Sequence, residues 1–234
     1  MRLITCHSGK LQSLLAEQLR TLRNGDGFSS GIAEWDALAP GQSFARGAVH
    51  ELAWEMFEPL KMALSLARGA SEQIQHPIFL LDPCAAFYPP AIAAGGIDLD
   101  KLYLLRPRNR AQAMWAVTEC LRCPGVGAAV ASMDELSRLE ARRLQLAAES
   151  GGNAAILLRP RQCRSFPIYA AATRWLIAPA PGERAIQRWK IQLLHGHGGR
   201  VGETIHVEHL RKTNTLRAAD LLADRSSFAE SRSA

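Results

Sequence analysis

Apolar runs and amphipathic segments alternate through the middle of the chain. The apolar runs predict strands at residues 47–52, 78–82, 102–105, 126–131 and 154–158. Helical spacing of apolar residues, together with capping residues, predicts helices at residues 59–68, 90–95, 109–122 and 132–150, the last two capped by Asn109 and Ser132. Because strands that alternate with helices form parallel β-α-β units, the pattern predicts an α/β fold with a mainly parallel central sheet flanked by helices.

The last third of the chain follows a different pattern. A further strand is expected at residues 175–178. A strand is also expected at residues 188–195, where apolar and polar side chains alternate from 188 to 193, a period of two that predicts one face exposed to water. The glycine-rich segment 196–199 connects this strand to another at residues 204–209. The sequence therefore predicts a C-terminal antiparallel hairpin beside the parallel sheet.

The two ends of the chain differ from its middle. Near the amino terminus, leucines at helical spacing predict an amphipathic helix over residues 10–23; they are Leu11, Leu14, Leu15, Leu19 and Leu22. After residue 212 the chain becomes polar, which predicts a flexible tail. The expected organisation is a helix and linker at residues 1–28, a core domain at 29–212 and the tail at 213–234.

Composition narrows the class of protein. The chain has 234 residues, of which 47% are hydrophobic and 21% are charged, which suits one packed domain and excludes global disorder. The apolar runs are shorter than the roughly 18–20 residues of a membrane helix, and no secretory signal opens the chain, so we expect a cytoplasmic protein. The net charge of +6 permits contact with nucleic acid or with an acidic protein, without distinguishing the two.

The first strand-to-helix turn lacks the features of a phosphate-binding loop. Such a loop binds phosphate with glycine amides, a lysine and a hydroxyl group. Residues 51–61 contain three glutamates and no glycine, and Lys61 falls inside the predicted helix. The segment Ser8-Gly9-Lys10 has part of the pattern, but no strand is predicted before it. We therefore expect an ordinary strand-to-helix connection, and any P-loop that the fold places at this turn would be degenerate.

Three other patterns resemble catalytic or metal-binding motifs, but none of them is complete enough to predict such a site. Residues 27–31 match the Gly-x-Ser-x-Gly motif of esterases without the buried strand that this motif requires. Cys120 and Cys123 form a lone Cys-x-x-Cys pair, which is more typical of a half-buried helix face than of a zinc site. For the histidines that flank the predicted hairpin, metal binding and simple solvation both stay open; they are His195, His197, His206 and His209.

Arginines cluster directly after two predicted strands. One group follows the strand at 102–105 and the other follows the strand at 154–158; they are Arg106, Arg108 and Arg110, and Arg159, Arg161 and Arg164. The carboxyl ends of strands are the edge where α/β sheets place binding loops. Contact with a partner or a phosphate and ordinary solvation are equally compatible with these side chains. On the helix expected at 132–150, Glu140 and Arg143 have the spacing of an ion pair.

Taken in order, these elements resemble the RecA-like core, and most closely the ImuA family, which is also related to the division inhibitor SulA. The resemblance runs from about residue 29 to residue 208. Its markers are Asp82-Pro83, Arg106-Pro107, Trp115 in the helix at 111–121, and the segments GIAEWDAL at 31–38, RGAVHEL at 46–52, PPAIAAGGIDLDKL at 89–102, RRLQLAAE at 142–149 and RWKIQLL at 188–194.

The resemblance implies a RecA-like fold and an accessory role in SOS-induced, mutagenic translesion DNA synthesis. The implied partners are ImuB, which is an inactive relative of Y-family polymerases, an error-prone C-family polymerase, and RecA. A RecA-type ATPase also carries a catalytic glutamate just after the strand that ends at Asp82, and a metal-directing aspartate where this chain has Ala131-Ser132. Neither is present, so the resemblance implies no catalysis, no cofactor and no metal.

Two further expectations depend on the same resemblance. The loops that bind DNA in RecA look shortened here, so direct DNA binding is expected to be weak at most. The predicted helix at 10–23 matches the RecA segment that docks on a neighbouring subunit, and we expect it or the leucine-bearing tail to bind a partner groove. A SulA-like division inhibitor that binds FtsZ is the alternative function, and a nucleotide-dependent ATPase is a third that the degenerate turn disfavours.

Overall fold

The computed structural model describes residues 2–5, 27–56, 58–85, 87–161, 170–182 and 186–219. In this part of the chain, ten strands form one sheet: β1 (Arg2–Thr5), β2 (Ala48–Trp54), β3 (Ile78–Leu81), β4 (Leu102–Arg106), β5 (Ala128–Ser132), β6 (Ala154–Pro160), β7 (Thr173–Ala180), β8 (Ile186–Gly196), β9 (Thr204–Leu210) and β10 (Thr215–Ala218). The α-helices of the same residues are α1 (Ala33–Asp36), α2 (Leu60–Glu72), α3 (Pro89–Ala94), α4 (Arg110–Arg122) and α5 (Arg138–Gly151). None of these helices has the length and apolar character needed to cross a membrane.

The strand order confirms the predicted α/β architecture. Across the sheet the order is β1-β4-β3-β5-β6-β2-β7-β8-β9-β10. The strands from β1 to β7 in this order pair in parallel, and those from β7 to β10 pair antiparallel. The C-terminal hairpin predicted from the period-two pattern is present as β8 and β9, and it continues the parallel sheet.

Apolar side chains at alternate positions of the central strands fill two cores, one on each face of the sheet. In β3, Ile78 and Leu80 pack on the side of α2, whereas Phe79 and Leu81 pack on the side of α4 and α5. This two-sided burial explains why the central strands are apolar on both faces. All residues of β2 except the last are buried, which places two polar side chains of that strand inside the protein.

Helix α5 begins later than the sequence predicted. Ser132 was expected to cap it, but Ser132 is the last residue of β5 and Ser137 caps the helix. The amide of Glu140 donates to Ser137 Oγ at 3.2 Å, and the amide of Ser137 donates to the Glu140 carboxylate at 2.9 Å. The carboxylate also pairs with Arg110, so the expected pair between Glu140 and Arg143 is wrong. The sequence contains Ser-x-x-Glu at both places, and the local pattern alone could not choose between them.

The structure extends the sheet near both ends of the chain. β1 pairs in parallel with β4, so a strand precedes Ser8-Gly9-Lys10 where none was predicted. β10 pairs antiparallel with β9, so the boundary expected at residue 212 is wrong, because a short polar strand gains its hydrogen bonds from its neighbour. The leucines of the predicted N-terminal helix lie outside the described residues, as does the chain from residue 220 onward; the leucines are Leu11, Leu14, Leu15, Leu19 and Leu22.

Candidate functional site

The connection between β2 and α2 occupies the position of a phosphate-binding loop. Pro59 precedes α2, and no side chain caps the amides of the helix. The connection contains Glu55 and Glu58 and no glycine, and Glu55 pairs with Arg161. A phosphate loop needs backbone amides that converge on the anion, and glycine is the residue that lets them do so. The residues present therefore do not fit a bound nucleotide.

Glu58 lies at the amino end of α2 beside the loop that follows β5. Burial raises the pKa of the Glu58 carboxyl, a hydrogen bond with the Ser132 side chain lowers it, and the charge of Asp134 raises it again. An anion at this end of α2 would meet two carboxyl groups in place of a nest of amides. The electrostatics of the site therefore oppose phosphate binding.

Lys61, the second residue of α2, contacts β9 and the turn that follows it. Its Nζ lies 2.8 Å from Oδ1 of Asn214 and 3.1 Å from Nε2 of His209, which belongs to β9. In a phosphate loop the lysine binds the phosphates. Here its ammonium group is engaged by an amide and an imidazole.

A cleft of about 1100 Å³ opens at the carboxyl ends of β3, β4 and β5. Its apolar wall includes Leu60, Phe87 and Met133, and Arg108 and Arg110 also line it. This is the edge at which open α/β sheets place their ligands. Two members of the predicted arginine group therefore lie at a cleft of the kind that binds ligands or partners.

Two arginines near this cleft are held by carboxylates. Arg106 Nη2 lies 3.5 Å from Oδ2 of Asp82, whose side chain is 1% exposed. Arg110 donates to both oxygens of the Glu140 carboxylate, at 2.7 and 2.8 Å, and this pairing lowers the pKa of Glu140 to about 2. Arg106 thereby joins β4 to the end of β3, and Arg110 joins α4 to α5.

The remaining surface arginines of the prediction differ in their accessibility. Arg108 lines the cleft with an exposed side chain, and within the described ranges no carboxylate pairs with it. Arg161 forms an ion pair with Glu55. Arg164 lies outside the described residues. Arg108 is therefore the predicted contact that stays most available to a partner.

Arg159 does not reach the surface. Its side chain is 2% exposed, and its Nη1 lies 3.2 Å from Oε1 of Glu51, which also lies 3.4 Å from Nε of Arg174. Arg159 donates further to the backbone carbonyls of Met133 and Asp134. The expectation that Arg159 meets a phosphate or a partner is therefore wrong, because this side chain ties β6 to β2 and to the loop that forms one wall of the cleft.

The burial of Glu51 was not predicted from the sequence. A single charged residue inside an apolar strand, such as Glu51 in AVHELAW, is the signal that could have indicated it, because burying an unpaired charge is costly. The partners of Glu51 come from β6 and β7, which flank β2 in the sheet. That strand order is not contained in any local pattern.

The histidines and cysteines give no metal centre in the part of the chain that the structure describes. The rings of His195 and His197 lie 5.2 Å apart, whereas His206 and His209 belong to β9. The two cysteines of the Cys-x-x-Cys pair are buried at the end of α4, as the interpretation of a half-buried helix face predicted.

No protein-family model matches the chain. Protein ImuA of Caulobacter vibrioides, in strains NA1000 and ATCC 19089 alike, is 27% identical over 195 residues, spanning 74% of this chain and 80% of that protein. Among solved structures, the RadB recombinase superposes with a TM-score of 0.65 at 13% identity, covering 82% of this chain and 99% of RadB. At this identity the second likeness concerns the fold alone. Together they confirm the predicted resemblance: the chain is similar to Protein ImuA over about three quarters of its length, and it has a RecA-like fold.

Proposed function

We propose that this protein is a non-catalytic accessory factor of SOS-induced translesion DNA synthesis. It acts through contacts with an ImuB-like protein, with an error-prone C-family polymerase and with RecA. The observation that carries the proposal is the β2–α2 connection, where carboxylates occupy the place at which a RecA-type ATPase holds a phosphate. Similarity to Protein ImuA supports the accessory role, and the RecA-like sheet supplies the scaffold for the contacts.

The positions that would serve nucleotide hydrolysis have other neighbours in this protein. Asp82, at the end of β3, lies beside Arg106 and is followed by proline and cysteine in place of a catalytic glutamate. Ser132, at the end of β5, shares a hydrogen bond with Glu58. Phosphoryl transfer needs a phosphate cradle, a metal ligand and a group that positions the attacking water. The proposal therefore assigns no catalytic step to this chain.

The cleft is the surface to which we assign the partner contact. Its apolar wall lies beside the accessible Arg108, and Tyr88, the sequence neighbour of the lining residue Phe87, is 68% exposed. Tyrosine and arginine are enriched in the residues that dominate protein interfaces. Direct DNA contact through this surface is weak in the proposal, because Arg106 and Arg110 already have carboxylate partners.

A nucleotide titration tests the non-catalytic part of the proposal. Purified protein, with Mg²⁺ and rising ATP, is expected to give no saturable binding signal and no phosphate release above that of a buffer control. Saturable ATP binding accompanied by hydrolysis would overturn the proposal, since it would show a phosphate site that the carboxylates do not block.

A pull-down from DNA-damaged cells tests the partners. Wild-type protein and an Arg200→Glu control, altered in the β8–β9 loop, are expected to retain the ImuB-like protein and the polymerase, and Arg108→Glu is expected to lose them. Retention of FtsZ in their place would favour the SulA-like alternative. Deleting residues 1–26 tests the N-terminal helix, and unchanged binding of ImuB and RecA would remove that helix as the contact.

A further inference from the structure

A second pocket lies beside the flank of α2, apart from the cleft. It has a volume of about 220 Å³ and is enclosed by α2, the segment around α3, and the turn between β9 and β10. Its charged and amide-bearing side chains are Lys61, Arg68, His209 and Asn214. No aspartate or glutamate of the described ranges lines it, and it shares no lining residue with the cleft. The pocket is therefore basic on its polar side.

Lys61 has no acidic partner within the described ranges, and burial lowers the pKa of its ammonium group. Other buried charges of the protein are paired with opposite charges. Glu51 and Glu208 are each contacted by two arginines. Because a partly buried charge without an opposite charge is unfavourable, the ammonium group of Lys61 favours the entry of an anion.

The protons around Lys61 cannot all be placed favourably. Nε2 of His209 lies 2.6 Å from Oδ1 of Asn214 and 3.1 Å from Nζ of Lys61. If Nε2 carries the ring proton, it donates to the amide oxygen but faces the ammonium donor; if Nε2 is bare, it accepts from Lys61 but faces the amide oxygen. If the amide oxygen and nitrogen of Asn214 are exchanged, the amide nitrogen and the lysine ammonium group, which are both donors, face each other. An anion beside Nζ would draw the ammonium group away from the ring and remove this unfavourable contact.

His209 contributes a second unsatisfied group to the same place. The residue is 5% exposed, and its Nδ1 has no hydrogen-bond partner among the residues described. Burial lowers the pKa of His209, the hydrogen bond with Asn214 raises it, and the charges of Lys61 and Arg211 lower it. The groups that act on this imidazole therefore include no carboxylate.

Two glycines leave room for the guanidinium group of Arg68 at the pocket. Gly31 and Gly96 both have left-handed backbones, with φ of 83° and 84°. A Cβ atom at Gly31 would lie 3.0 Å from Nη2 of Arg68, and one at Gly96 would lie 2.6 Å from Nη1. Glu72, outside the pocket, lies 3.6 Å from Nε of the same guanidinium group. The backbone thus leaves the space that the guanidinium group occupies beside the pocket.

We propose that this pocket binds a small carboxylate that carries an apolar body. Lys61 contacts the carboxylate, Arg68 adds positive potential, and the apolar body packs against a wall formed by Ile32, Leu64, Ile92, Ile97 and Leu216. The volume lies below the roughly 300–1,000 Å³ of sites for drug-sized ligands, so the ligand is smaller than a nucleotide. A free organic acid and the terminal carboxylate of a peptide ending in an apolar residue share this chemistry. The assignment is independent of the accessory function.

A ligand pair that differs only in charge tests the assignment. Benzoate and benzamide have the same ring, and ligand-observed NMR is expected to show saturable binding of benzoate to the full chain and none of benzamide. Equal binding of the two, or saturable binding of neither, would overturn the proposal.

Matched variants locate the binding. Lys61→Met keeps the aliphatic stem and removes the charge, and it is expected to lower the affinity for benzoate at least tenfold. Lys190→Met, on the exposed side of β8, is the control and is expected to leave this affinity unchanged. Gly96→Ala displaces Arg68 and is expected to lower the affinity for benzoate as well. Each variant is first checked for an unchanged circular-dichroism spectrum. Wild-type affinity in Lys61→Met would contradict the proposal, whatever Gly96→Ala does.

A second pair of probes distinguishes a free organic acid from the terminal carboxylate of a peptide as the ligand. A short peptide ending in phenylalanine is compared with the same peptide carrying a C-terminal amide. Tighter binding of the free acid than of the amide supports the proposal with a peptide source, and binding of benzoate with no binding of either peptide supports it with a free organic acid as the source.

Discussion

Two regions of the protein differ in how their charged side chains are paired. They are the cleft at the carboxyl ends of β3, β4 and β5 and the pocket beside α2. At the cleft, Asp82 and Glu140 each lie beside an arginine, so these charges join elements of the fold. In the pocket, Lys61 has an amide and an imidazole as neighbours but no carboxylate among the described residues. A charged side chain at a ligand-binding edge of the sheet is therefore not always available to a ligand. Its availability depends on whether an opposite charge of the protein already pairs with it.

Helix α2 connects the two regions. Its amino end lies beside the carboxyl groups of Glu58 and Asp134, whereas its flank presents Lys61 and Arg68 to the pocket. In phosphate-binding folds the amino end of a helix attracts the anion. In this protein the acids oppose an anion at that end, and the bases favour one along the side.

The largest expected effect comes from the arginine buried behind the cleft. Arg159→Met leaves the carboxylate of Glu51 buried with Arg174 as its one remaining basic partner among the described residues. We expect a loss of about 3–5 kcal/mol in the free energy of unfolding, measured with urea. The exposed Arg108→Met is the control and should stay within about 0.5 kcal/mol of wild type. Adding Glu51→Gln to Arg159→Met should recover part of the loss. A loss below about 1 kcal/mol in Arg159→Met would show that the pairing does not hold the loop.

The next effect is a dependence on pH that comes from a buried base. Burial lowers the pKa of His50 from 6.5 to about 4, against a smaller opposite effect of the hydrogen bond to Ala45. The unfolded chain therefore takes up this proton at higher pH than the folded chain, and stability is lost as the pH falls from 6.5 to 4, by about 3 kcal/mol. Urea unfolding at several pH values measures the loss. A slope in this window that is unchanged in His50→Gln would contradict the assignment.

A smaller effect is expected at the carboxylate that caps α5. Glu140→Gln removes the charge that holds Arg110 and weakens the capping box, and we expect a loss of about 1–2 kcal/mol. Glu119→Gln, in an exposed pair with Arg122, is the control and should lose less than about 0.5 kcal/mol. Because Arg110 lowers the pKa of Glu140 to about 2, the wild type loses this contribution as the pH falls from 4.5 toward 2, a window that overlaps that of His50 only near pH 4. Equal losses in the two variants would contradict the special role of Glu140.

The smallest effect is expected at the unpaired base of the pocket. Lys61→Met removes a partly buried charge that has no acidic partner in the part of the chain that the structure describes. The free energy of unfolding should therefore stay within about 0.5 kcal/mol of wild type or rise slightly. Thermal and urea unfolding measure it. A loss of 2 kcal/mol or more would show that Lys61 has a structural function like that of Arg159, and the contrast between the two regions would fail.

Several elements of the fold could be predicted because their signals are local. The period-two pattern of residues 188–193 predicted β8, and Asn109 predicted the start of α4, where its side chain accepts a bond from the amide of Gln112. The start of α5 was missed because two equivalent capping patterns compete there. The strands at the two ends of the chain, β1 and β10, were missed because a short edge strand depends on hydrogen bonds with a neighbour that is distant in sequence.

The sequence by itself determined the alternation of strands and helices, the antiparallel hairpin and the absence of glycine from the β2–α2 connection, because periodicity and residue type act over a few neighbouring positions. Only the tertiary structure decided which charges are paired. Arg108 and Arg159 both come after apolar runs of the sequence, yet one is exposed and the other lies against Glu51. Lys61 meets His209 and Asn214 only because the sheet brings the two ends of the domain together. The strength of a charge–charge contact depends on distance in space and on burial, and neither is written in the local sequence.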